Sequence, residues 1–167
     1  MNAIMQIMEY SSSVKIIDHS VIYASGIVSR LKKNGFVNIV TCICDNILNE
    51  KNATEDWGYD WILYHVAYNK NLETVNECLK LLRKRYEKSK IIVYSADFSE
   101  NILTSVFTNE IDGYFLLSEA PEAVFTVMAS IIKNGDVALS KSVVRCCAIR
   151  CYAINKQVML LINKLNG

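Results

Sequence analysis

Asp112-Gly113-Tyr114-Phe115-Leu116-Leu117-Ser118-Glu119-Ala120-Pro121-Glu122 holds a whole strand-to-helix passage in one short stretch. Gly113 to Leu117 is an apolar run of strand length. Beyond Pro121, the residues Val124, Val127, Met128, Ile131 and Ile132 recur three and four apart, which marks one face of a helix. Lys133-Asn134-Gly135 closes that helix, with the glycine suited to a left-handed cap. The same unit recurs upstream. Val14 to Asp18 reads as a buried strand, followed by a helix on Val21, Ala24, Val28 and Leu31 that Lys33-Asn34-Gly35 stops. Phe36 to Cys44 is a second strand, with a weaker helix over Asn46–Glu55. Asp60 to Val66 is a third, followed by a long helix on Leu72, Val75, Leu79, Leu82 and Tyr86. Lys90 to Ser95 is a fourth, and Ser99 caps the helix after it.

Near-continuous apolar strands that alternate with amphipathic helices imply a parallel sheet covered on both faces. Right-handed crossovers make it doubly wound. The expected fold is therefore α/β, a five-stranded (βα)5 sheet of the flavodoxin-like kind with an extra C-terminal helix. Such folds carry their sites at the carboxyl ends of the strands. Here those ends are Asp18-His19, His65-Val66, Ser95-Ala96 and Leu117-Ser118.

Composition narrows the function classes. Eighteen basic residues face seventeen acidic ones in a chain of 167, so no overall field draws it to nucleic acid or membrane. No apolar run approaches a membrane span, and Met1 to Tyr10 lacks the basic start of a signal peptide. Six cysteines and one proline fit a reducing cytoplasm. Cys42 and Cys44 sit at strand spacing, as buried thiols on one face. Cys146, Cys147 and Cys151 form a closer group, read first as structural and second as a redox switch. Zinc motifs space their ligands more tightly, so no metal and no cofactor are expected.

The order and spacing of these pieces resemble the receiver domain of NarL/LuxR-type response regulators over Val14 to Val144. Ile16-Ile17-Asp18-His19 resembles the family's hydrophobic-Asp-Asp-His. Tyr86 to Ala96 resembles its passage into the fourth strand. Asp112 to Glu122 resembles its Asp-Gly-Tyr-Leu-Leu-Lys and Pro-Glu helix start, and Asn134-Gly135 with Leu139-Ser140 also match. The resemblance implies five phosphorylation positions, and this chain keeps two. The first acid falls on Ile17, the second is Asp18, and the phosphoacceptor falls on His65. The hydroxyl is Ser95 and the lysine position is Leu117. One carboxylate and an imidazole make a poor magnesium site. Without magnesium or lysine, nothing stabilises a transferring phosphoryl group.

The expected division is a leader at 1–13, a receiver-like domain at 14–137, and a linker with one further helix at 138–167. Ala153 to Gly167 resembles the opening helix of the family's helix-turn-helix, so DNA contact is expected only through a helix-turn-helix that this chain lacks. Val158, Leu161, Ile162 and Leu165 form an apolar stripe on it. The expected function is a phosphorylation-independent regulator in transcription, comparable to auxiliary regulators of the RcsA kind. It would pair with itself or with a full-length LuxR-type partner. The alternatives are a receiver with a rearranged acceptor (His65, Asp60 or Asp18), or a ligand or redox sensor. An enzyme is the least favoured reading, since no glycine-rich phosphate loop or catalytic triad is present.

Overall fold

The computed structural model describes residues 12–44, 47, 58–67 and 71–165. The helix expected over Asn46–Glu55 lies, Ile47 apart, outside them, as does nearly all of the leader. Strands β1 (Ser13–Asp18), β2 (Asn38–Ile43), β3 (Trp61–His65), β4 (Lys90–Ser95), β5 (Gly113–Leu116) and β6 (Ala138–Leu139) form one sheet. Its order is β2-β1-β3-β4-β5-β6, and every pairing is parallel. Helices α1 (Val21–Lys33), α2 (Leu72–Arg85), α3 (Glu100–Thr108) and α4 (Ala123–Asn134) connect the strands, and α5 (Lys141–Leu165) ends the described chain.

The sheet has six strands rather than the expected five. After α4, Gly135 takes a left-handed conformation at φ 69° and turns the chain back along β5. There the Ala138 N–H donates to Asp112 O across 2.8 Å and the Ser140 N–H to Tyr114 O across 3.0 Å. A two-residue strand is too short for alternation to reveal, and it falls where the domain boundary was expected. Ser140 then caps α5. The helix therefore starts at Lys141, well before Ala153, and runs without a break.

Alternation along the strands divides the core in two. Ile16, Leu63, Ile92, Tyr94 and Phe115 face α1 and α4. Ile17, Ile62, Tyr64, Ile91, Val93, Tyr114 and Leu116 face α2 and α3. Cys42 and Cys44 both pack against this second side, as their spacing suggested, but at the edge strand β2 they are half-buried rather than buried. Gly113 lies where α4 packs close against the sheet. A Cβ there would lie 2.7 Å from Val127 Cγ1 and 3.1 Å from Ile131 Cδ1. Gly113→Ala is therefore expected to destabilise the fold by about 1–3 kcal/mol through overpacking, read as a lowered urea midpoint at unchanged slope.

At the amino ends of the strands, Arg83 fastens α2 to the entry of β5. It pairs with Asp112 at 2.7 Å and donates to the carbonyls of Tyr86, Ser89 and Glu110. Asp112 also accepts from the Ile91 N–H at 2.8 Å. The conspicuous Asp-Gly pair thus serves architecture at the end of the sheet opposite the candidate site.

Candidate functional site

The carboxyl ends of β1, β3 and β4 bring three side chains into one buried network. Asp18 is 1% exposed and His65 5%. His65 Nδ1–H donates to Asp18 Oδ1 across 2.8 Å, a tautomer that the acceptor-only carboxylate imposes. The Ser20 N–H donates to the same oxygen at 2.9 Å, the local turn that lets Ser20 cap α1. Tyr94 Oη donates to the other oxygen, Oδ2, at 2.7 Å. Burial alone would raise the Asp18 carboxyl. The bonds from His65, Ser20 and Tyr94 outweigh it and hold the group below its ordinary range. Burial, followed by the Asp18 charge, pushes the Tyr94 phenol well up, so it remains a donor.

Strand register explains why these residues meet. His65 pairs with Tyr94, and Tyr94 with Phe115. Cross-strand partners share a face, so the three rings stack across the sheet. Centroids are 4.9 Å apart for His65–Tyr94 and 5.2 Å for Tyr94–Phe115. His19 continues the column, its ring 4.6 Å from His65, and Tyr23 meets His65 edge-on at 5.5 Å. An aromatic column thus crosses the region where the resemblance implied a phosphoryl group.

The five expected positions are not gathered into one pocket. Asp18 and His65 are in contact, and Leu117 packs against the core on their side of the sheet. Ile17 is fully buried on the opposite side. Ser95 is buried too, and its hydroxyl is engaged by Asp97 O at 2.7 Å and Tyr114 Oη at 2.8 Å. Asp60, one of the alternative acceptors, lies at the far end of β3. There its carboxylate accepts from the N–H and hydroxyl of Ser13. It is therefore a poor candidate to share in chemistry at His65.

Magnesium does not fit this donor set. An aliphatic chain stands at Ile17, and His65 offers nitrogen where a hard cation wants oxygen. Another grouping is present, however. Asp18, His19 and His65 place potential ligand atoms within 4.8 Å of one another. From sequence, His19 stands only as the neighbour of Asp18 at the end of the first strand, and Tyr94 is not singled out. Its signal was available: Tyr94 is one residue from the end of β4, on the face that alternation assigns to His65.

Cys146, Cys147 and Cys151 share α5, and all six cysteines are free thiols. Cys147 packs against the second side of the core. Burial, then the neighbouring Cys151 and Cys146, push its thiol up, which disfavours the reactive thiolate. Glu119 anchors the start of the same helix. Its carboxylate accepts from the Ser142 N–H at 3.1 Å and the Leu116 N–H at 2.9 Å. Partial burial would raise this carboxyl, but its bonds from Ser140, Leu116 and Ser142 lower it overall. A depressed folded value stabilises above the ordinary glutamate range, about pH 4.3, and the contribution is lost as pH falls through the folded value. Glu119→Gln should therefore flatten the acid limb of stability against pH, measured by thermal melts between neutral and acid pH.

No family model matches this sequence, and no curated protein matches it either. Solved structures do match. The isolated REC domain of RcsB from Salmonella enterica serovar Typhimurium, in the presence of phosphomimetic BeF3−, superposes with a TM-score of 0.64. It is 19% identical, over 81% of this chain and 97% of that one. The longer Salmonella typhimurium RcsB response regulator gives 0.66 at 21% identity, over 81% of this chain and 65% of that one. DrrB of Thermotoga maritima, an OmpR/PhoB homologue, gives 0.58 at 10% identity, over 75% and 54%. At these identities the likeness establishes the fold, which is that of response-regulator receiver domains. Among the described residues, no helix is long and apolar enough to cross a membrane.

Proposed function

We propose that this receiver-fold chain is a regulatory module that acts in transcription by binding protein, without accepting a phosphoryl group. The observation that carries the reading is the engagement of Asp18. Its two oxygens serve His65, Ser20 and Tyr94, and Leu117 stands where a lysine would meet the phosphoryl oxygens. A receiver needs an exposed carboxylate nucleophile, a cation and that lysine. The network offers a fixed conformation in their place.

The C-terminal helix supports a binding role. Past its first turns, α5 leaves Ile149 61% and Tyr152 71% exposed, and Met159, Leu160 and Ile162 are exposed with them. Lys141, Arg145, Arg150, Lys156 and Lys164 accompany them, and the helix contains no acid. Apolar side chains in that number favour a protein partner, either a second copy or a full-length LuxR-type regulator. One related solved structure is of two RcsB dimers bound to two parallel DNAs. In this reading, DNA contact belongs to the partner or to a helix-turn-helix outside this chain.

Incubation with acetyl phosphate and Mg²⁺, followed by intact-mass measurement and sedimentation, tests the proposal. The expected result is no phosphoryl adduct and an unchanged state of assembly. A stoichiometric adduct would overturn it.

A further inference from the structure

The mismatch with magnesium leaves a different set of donors at the same carboxyl end of the sheet. We propose that Asp18, His19 and His65 form a binding site for a borderline transition-metal ion, with Zn²⁺ as the fitting case. This rests on the reading that the pocket is not a magnesium and aspartyl-phosphate site.

The geometry carries the argument. Asp18 Oδ1 lies 2.8 Å from His65 Nδ1 and 3.4 Å from His19 Nδ1, so both imidazoles turn the same nitrogen toward one oxygen. A tetrahedral ion with bonds of about 2.0–2.2 Å holds its ligands roughly 3.3–3.5 Å apart. The His19 edge, at 3.4 Å, already has that length, and the His65 edge, at 2.8 Å, opens by roughly half an ångström or a little more. The ligand atoms of all three residues lie within 4.8 Å of one another. His19 can supply the remaining movement, because its side chain is 37% exposed. That exposure also gives an ion a way in and a place for water as a fourth ligand.

The donor chemistry selects the ion. Two imidazoles and one carboxylate suit zinc, cobalt, nickel or copper, and are poor for magnesium or calcium. Surrounding groups already hold the carboxylate as a ligand needs to be held. Tyr94 Oη fixes Oδ2 at 2.7 Å and the Ser20 N–H steadies Oδ1 at 2.9 Å, in the manner of outer-shell partners. Binding is balanced in protons. The ion takes the place of the proton between His65 Nδ1 and Asp18 Oδ1, and the neutral ring carries that proton on Nε2 instead, so none is released. An ion there would tie the turn after β1 to the end of β3, beside the first residues of α1.

The test is a titration of the full, reduced chain with Zn²⁺ and with Co²⁺, followed by calorimetry and visible absorption. The expected result is one equivalent bound, with nitrogen–oxygen cobalt bands and no sulfur-to-cobalt charge transfer. A large excess of Mg²⁺ should not compete. His19→Ala, at an exposed position where the fold is not at stake, should weaken binding by about tenfold or more. His65→Gln should abolish it, with circular dichroism checking that the variant is folded. Absence of binding would overturn the proposal. So would affinity unchanged in His19→Ala, or a thiolate band, which would assign the ion to the cysteines. A phosphoryl adduct from acetyl phosphate would instead sink the functional reading above and leave the zinc result legible on its own.

Discussion

Asp18→Ala is expected to destabilise the protein by about 3–5 kcal/mol, because it strands buried donors that have no other acceptor. His65 Nδ1–H and Tyr94 Oη both point at this carboxylate from inside the sheet. Each buried donor without a partner costs on the order of 1–3 kcal/mol. The Ser20 N–H is nearer the surface and can turn to water, so it adds little. A domain of this size has roughly 5–15 kcal/mol in total, so the loss would be a large share of it. Asp18→Asn should cost less, since its carbonyl oxygen can still accept one of the two bonds. Urea unfolding with a chelator present measures both variants free of any bound ion. A cost under about 1 kcal/mol for Asp18→Ala would show that the network does not hold the strand ends together.

That network also shows where sequence reading runs out. The sheet was legible, because apolar runs such as Lys90–Ser95 and the helix faces after them follow the two periods that burial demands. Strand β6 was not, since Ala138–Leu139 is fixed by its pairing with β5, with Ala138 and Ser140 donating to the Asp112 and Tyr114 carbonyls, and carries no period of its own. The candidate site was legible in part. Position along the chain named Asp18, His65, Ser95 and Leu117 as neighbours at one edge of the sheet. It could not say which face each occupies, and alternation puts Ile17 and Ser95 on the side away from His65. Tyr94 is hidden in the sequence because a tyrosine inside an apolar strand reads as core. Only the register that sets it beside His65 turns its hydroxyl into a partner for Asp18. His19 is hidden for a related reason. Its place next to Asp18 was visible, but its approach to His65 depends on the pairing of β1 with β3.

His65→Asp, which restores the residue type that the fold resemblance implies at this position, should be worse tolerated than the resemblance suggests. The substitution removes the donor that Asp18 Oδ1 now receives at 2.8 Å and sets a second carboxylate beside it. It also takes out the ring between His19 and Tyr94. Two buried carboxylates at such range cannot both ionise without large cost, so one of them holds its proton to a raised pH. The sign of the pH dependence follows. A group whose folded value is raised contributes fully below its unfolded value, about 4 for a carboxyl, and loses that contribution as pH rises through the folded value. The variant should therefore lose about 3 kcal/mol or more at neutral pH and regain part of it on acidification from pH 7 to 5. The parent should show no such gain over that interval. Thermal melts of both proteins across it, with and without Mg²⁺, make the comparison. Partial rescue by Mg²⁺ is expected as well, because the second carboxylate supplies the oxygen that His65 withholds. A variant as stable as the parent at pH 7 without added cation would mean that the pocket has room for two acids, and that the aromatic column does not fill it.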